Sequence, residues 1–470
     1  MFKQKLLTLA IAALLPAAGF AAGEAKNVIF FLGDGMGPVT VTAARILKYK
    51  EEGSLNMDKL PRTARIKTFS LDAQTTDSAP SMAAYMTGVK TRNETLSLDA
   101  TTKAFAPGRD SATNVPNSVN NCPTSGNGAA SPTLLELAIA KGKATGVVST
   151  ARLTHATPAA TYAHVCHRNA EYEIARQAAP GGAGYNTALG AGVDVLMGGI
   201  SQYWTPFNAT SNKLGRPDGR DLVAEMKAKG YSFVSDLTTL NAAPVAAGAK
   251  LLGLYDFAVA QGHMSYNVDR DASKEPSLAQ MTVKSLDVLA KNPNGFFLMV
   301  EGGRIDHALH ETNAARALDE TIAFDDAIKA AIDKVKTFDP TLANTLIVVT
   351  ADHDHTMAFN GYGKRGDSPL GLSNSYVDGA PNKDKNGVPY TTLVFGGGSN
   401  RPDTRGVLTA PAVTDINYLQ EVTVRRGGKG SETHGGGDVI MMSAGAGSAN
   451  FKGTLDNTKV FGLVKSAAGY

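Results

Sequence analysis

Asn27-Val28-Ile29-Phe30-Phe31-Leu32, running directly into Gly33-Asp34-Gly35, is the stretch that decides how this 470-residue chain is read. Val28 to Leu32 are apolar without a break. Such a strand has no polar face and is buried on both sides, as strands of a parallel sheet are. Four more runs behave alike: Lys143 to Ser149 leads into Thr150-Ala151-Arg152, Asp194 to Met197 into Gly198-Gly199, Gly295 to Val300 into Glu301-Gly302-Gly303, and Leu346 to Val349 into Thr350-Ala351-Asp352. Helices are expected between them. Ser131 to Ala140 opens on a serine cap followed by proline, and Glu311 to Lys336 spaces Ala314, Leu318, Ile322 and Ile328 among charges. The alternation predicts an α/β fold, a large mostly parallel sheet between helical layers. From Gly361 to Glu432 the chain is rich in Gly, Pro, Asn, Asp and Ser, with a strand expected at Thr391 to Phe395 and a short helix around Asp415 to Glu421. We read 361–432 as an insertion capping the sheet and 22–470 as one catalytic domain. There is no internal repeat.

Composition narrows the function. Forty-nine glycines and 21 prolines are ordinary usage for this length, which excludes collagen-like or low-complexity chains. A net charge of +3, with no long basic run, gives no support to a nucleic-acid partner. Lys3 and Lys5 precede an apolar run from Leu6 to Leu15, and Gly19-Phe20-Ala21 is a small-x-small cleavage signal. We expect residues 1–21 to be a signal peptide, and the mature chain to be soluble, periplasmic or secreted. Only Cys122 and Cys166 remain for an oxidising compartment, and the sequence leaves their pairing open.

The nine histidines carry the strongest chemical signal. Asp34 follows the first strand. Glu301, Asp306 and His310 follow another, and Asp352, His353 and His355 a third. Glu432-Thr433-His434-Gly435 sits in a glycine-rich turn. Ligands of doubly wound sheets bind at the carboxyl ends of strands, so residues far apart in sequence converge there. Asp306 and His310 stand four apart, on one face of a helix, and suit Zn²⁺. Asp34 with Glu301 offers hard oxygens that suit Mg²⁺. Ser78, in Thr76-Asp77-Ser78-Ala79-Pro80-Ser81, is a cap by default and a nucleophile if a metal lies beside it. Arg168 has the planar fork that holds two oxygens of a phosphate.

Six segments resemble alkaline phosphatase, in the family's order from about Lys26 to beyond His434: Phe31-Leu-Gly-Asp34-Gly-Met-Gly, Thr76-Asp-Ser78-Ala, His155-Ala-Thr157-Pro, Val300-Glu-Gly-Gly-Arg-Ile-Asp306-His-Ala-Leu-His310-Glu, Thr350-Ala-Asp-His353-Asp-His355, and Glu432-Thr-His434-Gly. The resemblance implies a three-layer sandwich with a small crown-like subdomain. It also implies a phosphomonoesterase acting at alkaline pH through a phosphoserine on Ser78, with Arg168 as the phosphate clamp. Two zinc ions and one magnesium ion are implied. Asp306, His310 and His434 match the ligands of the first zinc, and Asp352 and His353 those of the second. Asp34 bridges the second zinc to the magnesium, whose remaining ligands match Thr157 and Glu301; Ser78 contacts metal as well. His355 matches a residue that orients the first-zinc ligands. His155 stands near the magnesium and His307 near the phosphate, both in the animal-type pattern. A homodimer with 361–432 near its interface is implied. No membrane partner is expected, because no stretch after the leader reaches eighteen apolar residues. Pro80 departs from the small residue usual there, and Cys166 lies two residues before the clamp. Asp256 and Glu275 fall where two ligands of the vertebrate calcium site would align, but the shortened loop before them argues against that site.

Two rival readings stay open at this point. A phosphodiesterase or sulfatase of the same superfamily would share the zinc ligands but usually has a threonine or modified cysteine nucleophile and lacks the Glu301–Thr157 pair. A secreted zinc- or phosphate-binding protein would need no Ser78.

Overall fold

The computed structural model describes residues 24–109, 111 and 117–470. The leader expected at 1–21 lies outside the described residues. In chain order the strands are β1 (Asn27–Gly33), β2 (Arg62–Lys67), β3 (Ala144–Arg152), β4 (Val195–Gly199), β5 (Tyr231–Val234), β6 (Lys250–Tyr255), β7 (Phe296–Gly302), β8 (Thr345–Ala351), β9 (Asp354–His355), β10 (Met357–Phe359), β11 (Leu393–Gly398), β12 (Val422–Arg425), β13 (His434–Gly435), β14 (Val439–Gly445) and β15 (Gly453–Asp456). The α-helices are α1 (Pro38–Tyr49), α2 (Ser78–Thr87), α3 (Leu134–Ala140), α4 (Ala156–Ala159), α5 (Glu171–Ala178), α6 (Leu222–Ala228), α7 (Leu237–Ala242), α8 (Leu278–Leu289), α9 (Arg304–His310), α10 (Ala314–Lys336), α11 (Ala410–Val413) and α12 (Asn457–Ala468).

The central sheet has ten strands in the order β15-β2-β14-β8-β1-β7-β3-β4-β6-β5. Every neighbouring pair is parallel except those of β14, which runs antiparallel to both β2 and β8. β1 lies at the centre, and all seven of its residues are buried. Each large apolar side chain taken fully out of water there contributes roughly 1.5–3 kcal/mol. One helical layer holds α1, α8, α9 and α10; the other holds α2, α3, α4 and α12. This is the expected α/β sandwich.

Several local expectations are corrected. The helix expected from Ser131 starts at Leu134, because Thr133 accepts from Glu136 N at 3.2 Å while Glu136 reaches back to Thr133 N at 2.9 Å. That reciprocal cap is stronger than a lone serine before proline. The helix expected over Glu311 to Lys336 begins at Ala314. Thr312 takes φ +60°, and the Asn313 side chain caps α10 by accepting from Arg316 N at 3.0 Å. No helix forms at Asp415 to Glu421; a single turn, α11, lies just upstream, and the chain then enters β12. The strand expected from Thr391 begins at Leu393. Region 361–432 contributes β11 and β12; β11 pairs with β10 on one side and β12 on the other in a separate three-stranded sheet.

Parallel register decides where chemistry can gather. Leu32 pairs with Glu301, Gly33 with both Gly302 and Ala351, and Ser149 with Glu301. The carboxyl ends of β1, β3, β7 and β8 are therefore level, and Asp34, Gly303 and Asp352 leave the sheet together. Gly35 turns the chain there at φ +65°, and a Cβ on it would lie 2.5 Å from the His355 ring. Only glycine fits that close approach without strain.

Candidate active site

Asp306 and His310 project from one face of α9, and His434 reaches them from β13. His310 Nε2 lies 3.3 Å from Asp306 Oδ1 and 3.1 Å from His434 Nε2, and His434 Nε2 lies 3.5 Å from Asp306 Oδ1. The opposite ring nitrogens fix the tautomers. His310 Nδ1–H donates to Glu432 O at 2.6 Å, and His434 Nδ1–H donates to Thr76 O at 2.8 Å. Carbonyl oxygens only accept, so each Nδ1 carries the proton and each Nε2 presents a lone pair. Three lone-pair atoms thus face one another with no hydrogen between them, an arrangement that a cation satisfies.

A second group lies at the ends of β1 and β8. His353 Nε2 is 3.3 Å from Asp34 Oδ1 and 3.4 Å from Asp352 Oδ2, and its Nδ1–H donates to Asp354 O at 3.2 Å. Asp352 is oriented by Gly35 N–H, which donates to its Oδ1 at 3.0 Å. The third group is Asp34, His155 and Glu301, with the candidate ligand atoms of each group within 4.8 Å of one another. Glu301 Oε2 accepts from Ser149 Oγ. Thr157 is buried on α4, which packs against β3 and β7.

Four buried oxygens here have no hydrogen-bond partner: Asp34 Oδ2, Asp352 Oδ2, Glu301 Oε1 and Thr157 Oγ1. Buried polar atoms are normally satisfied, so these orphans fit the ligand atoms of cations. Titration agrees. Burial, and then the charge of Asp306, push Asp34 up to about 7. Burial and Asp34 push Asp352 up to about 7 and raise Glu301 well above the usual carboxylate range. Carboxylates this crowded cannot all ionise without positive charge among them. His434 is held well below its ordinary value, chiefly by burial and then by His353, which keeps it in the neutral form a metal requires.

Ser78 is the first residue of α2, with Asp77 as cap accepting from Ala79 N at 2.7 Å. Pro80 falls in the first turn, where its missing N–H costs nothing. Ser78 Oγ lies 3.2 Å from His353 Nε2 and donates to Asp34 Oδ1 at 3.4 Å. Arg168 donates from Nη1 to Asp77 Oδ1 at 3.1 Å and from Nη2 to His155 Nε2 at 3.1 Å. Burial opposes its charge, but Asp77 and Glu94 outweigh burial and keep it protonated. Arg168 and His155 line a cavity of about 260 Å³ with Glu94, Arg152 and Asn169. His307 Nδ1 accepts from Arg304 Nη1 at 3.2 Å, and its ring centre is 5.4 Å from that of His155. A larger depression of about 900 Å³ opens in the insertion, but it holds no histidine, and its Arg405 is taken by Asp384 and Glu421.

Every site residue named from sequence thus lies at this edge of the sheet or on an element packed against it. Others were missed. Glu432 accepts from His355 Nδ1 and from Thr356 N, and no spacing marks it except its place two residues before His434. His263 packs on His307 at 3.9 Å between ring centres, and its Nδ1 accepts from Arg152 N at 3.1 Å. Arg152 is itself held by Glu171. No local pattern announces either. Cys122 and Cys166, left open by the sequence, form a disulfide.

A mostly parallel sheet with imidazole and carboxylate donors at its strand ends, beside a serine opening a helix, defines a metal-dependent hydrolase of the α/β class. Comparison sharpens this. The alkaline phosphatase family model matches residues 25–470. The human tissue-nonspecific isozyme of alkaline phosphatase is 38% identical over 452 residues, covering 90% of this chain and 79% of its own. Alkaline phosphatase from Gadus morhua is 36% identical, covering 90% of this chain and 87% of its own. The crystal structure of Thermus thermophilus alkaline phosphatase superposes with a TM-score of 0.64 at 26% identity, over 97% of this chain and 96% of the other. The chain belongs to the alkaline phosphatase family. It is a metal-dependent phosphomonoesterase, and phosphate monoesters are its substrates. Among the described residues no helix is long and apolar enough to cross a membrane.

Proposed function

We propose that this enzyme releases inorganic phosphate through a phosphoserine on Ser78. The observation that carries the reading is the position of Ser78 Oγ, at the positive end of α2 and within hydrogen-bond reach of Asp34 and His353. Asp306, His310 and His434 would hold one zinc, and Asp352 and His353 a second. Asp34, Glu301 and Thr157 would hold a magnesium, Asp34 serving the second zinc as well, and Ser78 would add its hydroxyl oxygen to the donor set. Bound there, the metals lower the pKa of the serine hydroxyl and of water and neutralise charge on the attacking and leaving oxygens.

The chain's own groups do the rest. Ser78, its proton already given up to solvent, attacks phosphorus in line as the bond to the alcohol oxygen breaks. Arg168 pairs with two non-bridging oxygens and remains charged at alkaline pH, where a phosphate monoester is dianionic. His355 orients Asp306, His155 helps hold Arg168, and His307 stands on the phosphate side. Water then attacks the phosphoserine from the side the alcohol has left, returning Ser78.

Export is supported by the leader-like residues 1–21 and by the disulfide, which suits an oxidising compartment, periplasmic or external. Exposed Tyr362, Tyr376, Val377 and Val407 on region 361–432 support that insertion as the contact face of a homodimer. The test is hydrolysis of a chromogenic phosphomonoester and a phosphodiester, with and without chelator, by the wild type and Ser78→Ala. Monoester turnover should vanish on chelation and fall by several orders of magnitude in Ser78→Ala. Wild-type rates in that variant would end the covalent reading, and a faster diester rate would favour a phosphodiesterase.

A further inference from the structure

The chain that carries Arg168 has no regular structure to stiffen it. Between α4 and α5 its only sheet-like pairing among the described residues is the isolated bridge of Val165 with Leu96. Three fixed points follow in quick succession. Val165 and Leu96 exchange backbone hydrogen bonds at 3.0 and 3.2 Å. Arg168 N–H donates to Glu94 O at 2.8 Å. Between these, Cys166 is joined to Cys122, whose Sγ also accepts the Cys166 N–H at 3.0 Å.

The first and third points belong to one short stretch, residues 94–96. His164, just before them, is held by Ser97, Gln177 and Glu136, but two anchors on one strip of backbone leave the stretch from Cys166 to Arg168 able to rock about that strip. Glu94 is itself held in the left-handed region at φ +73°, its N–H donating to Asp77 Oδ2. The disulfide comes from elsewhere, the long connection between Leu98 and Ala130, and bonds to the segment at its midpoint. Cys166 is completely buried, so losing Cys122 Sγ would also strand a buried N–H.

We infer that the Cys122–Cys166 disulfide is a positioning device for Arg168, setting the guanidinium at the distance from Ser78 that phosphate oxygens require. The inference rests on the reading of Arg168 as the group that holds those oxygens. Cys122 is partly exposed, so a reductant reaches the bond from that side. With a water-soluble phosphine the S–S bond breaks, two electrons and two protons go to the sulfurs as thiols, and the phosphine takes oxygen from water to become its oxide. The cleaved bond leaves the backbone of Cys166 to Arg168 held only by hydrogen bonds, to Leu96 and Glu94, with the His164 contacts to Ser97, Gln177 and Glu136 lying just before it. Phosphate affinity then falls, while the donor groups around Ser78, which belong to other elements, stay in place.

The experiment measures KM and kcat for a chromogenic phosphomonoester, the inhibition constant of inorganic phosphate, and zinc content. The proteins are wild type, phosphine-reduced wild type, Cys122→Ser/Cys166→Ser, Arg168→Ala and the triple variant. Loss of the disulfide should raise KM and the phosphate inhibition constant about 5- to 20-fold, with kcat within about twofold and zinc unchanged. In the Arg168→Ala background the same loss should add nothing to the inhibition constant, because the group it positions is gone. The melting temperature, in contrast, should fall in both backgrounds. Should the serine variant fail to fold, the reduced wild type supplies the comparison. An unchanged inhibition constant without the disulfide, or an equal rise in the Arg168→Ala background, overturns the inference. An inhibition constant that Arg168→Ala itself leaves unmoved overturns the reading of Arg168 instead.

Discussion

Glu432 accepts a hydrogen bond from His355 Nδ1 at 2.6 Å, with both side chains wholly out of solvent. The other ring nitrogen donates to Asp306 Oδ1 at 2.8 Å. Both partners accept, so both nitrogens carry protons. Burial works against the charge, but Glu432 and Asp306 overcome it and push His355 up to about 10. The imidazolium is a rigid strut between a carboxylate outside the donor set and one within it.

Glu432→Gln therefore removes the counter-charge while keeping the shape. His355 loses its reason to hold two protons, and Asp306 loses a fixed partner. Partners of this kind are typically worth about 10- to 100-fold in metal affinity. Competition for zinc against a graded chelator should show a loss of that size; an unchanged affinity would mean the strut is dispensable.

His434 and His263 look alike in sequence but differ in surroundings. His434 Nε2 points at Asp306 and His310, whereas His263 is bonded to Arg152 and packed at a tilt against His307. His434→Ala should lower zinc per purified chain by about one equivalent. His263→Ala should leave zinc content at the wild-type level. Equal metal content in the two proteins would count against the donor assignment.

His164 and Glu136, 2.7 Å apart away from the donor groups, give a pH signature in stability. Burial opposes ionisation of both, yet each partner outweighs it: Glu136 is lowered from 4.5 and His164 raised from 6.5. The contribution of His164 is complete below pH 6.5 and is lost as pH rises through its elevated folded value. That of Glu136 is complete above pH 4.5 and is lost as pH falls through its depressed folded value. Both are whole only between those limits. The gap in unfolding free energy between wild type and His164→Gln should peak in that window, at about 1.5–3 kcal/mol, and narrow toward high pH. A gap that does not vary with pH would refute the pairing.

Gly35→Ala places a methyl 2.5 Å from the His355 ring on a backbone at φ +65°. The conformation alone costs about 1–2 kcal/mol. The larger effect is displacement of His355 and Asp352, so activity should fall much further than the melting temperature. A variant that loses stability but keeps full activity would show that the turn serves the fold alone.

The sequence announced what burial on both faces dictates. β1, β3, β4, β7 and β8 are wholly or almost wholly buried; all but β3, which interleaves Thr145, Ser149 and Thr150, are built around an unbroken apolar run. β2 alternates exposed Arg62, Thr63, Arg65 and Lys67 with buried Ala64 and Ile66, and hid behind its charges. The antiparallel β14 gave no sign of its direction, which is fixed only by its neighbours. Asp34, Glu301, Asp306, His310, Asp352 and His353 were legible because they follow a strand or share a helix face, whereas His434 and Thr157 came only from the resemblance of their segments. Glu432, His263 and Arg152 were not, since tertiary approach alone gives them their partners. The break at Thr312 escaped because helical periodicity runs through it while a single left-handed residue does not change the pattern.

The groups around Ser78 are collected from one end of the chain to the other, beginning at Asp34 and closing with His434 on β13. A polypeptide still emerging from the ribosome, or one interrupted before the final strands, has most of the pocket's wall but not its last imidazole. Hydrolytic power thus switches on only once nearly the entire polypeptide has been made and folded. Under the export proposed above, that ordering spares the cell's interior phosphoesters from a premature hydrolase.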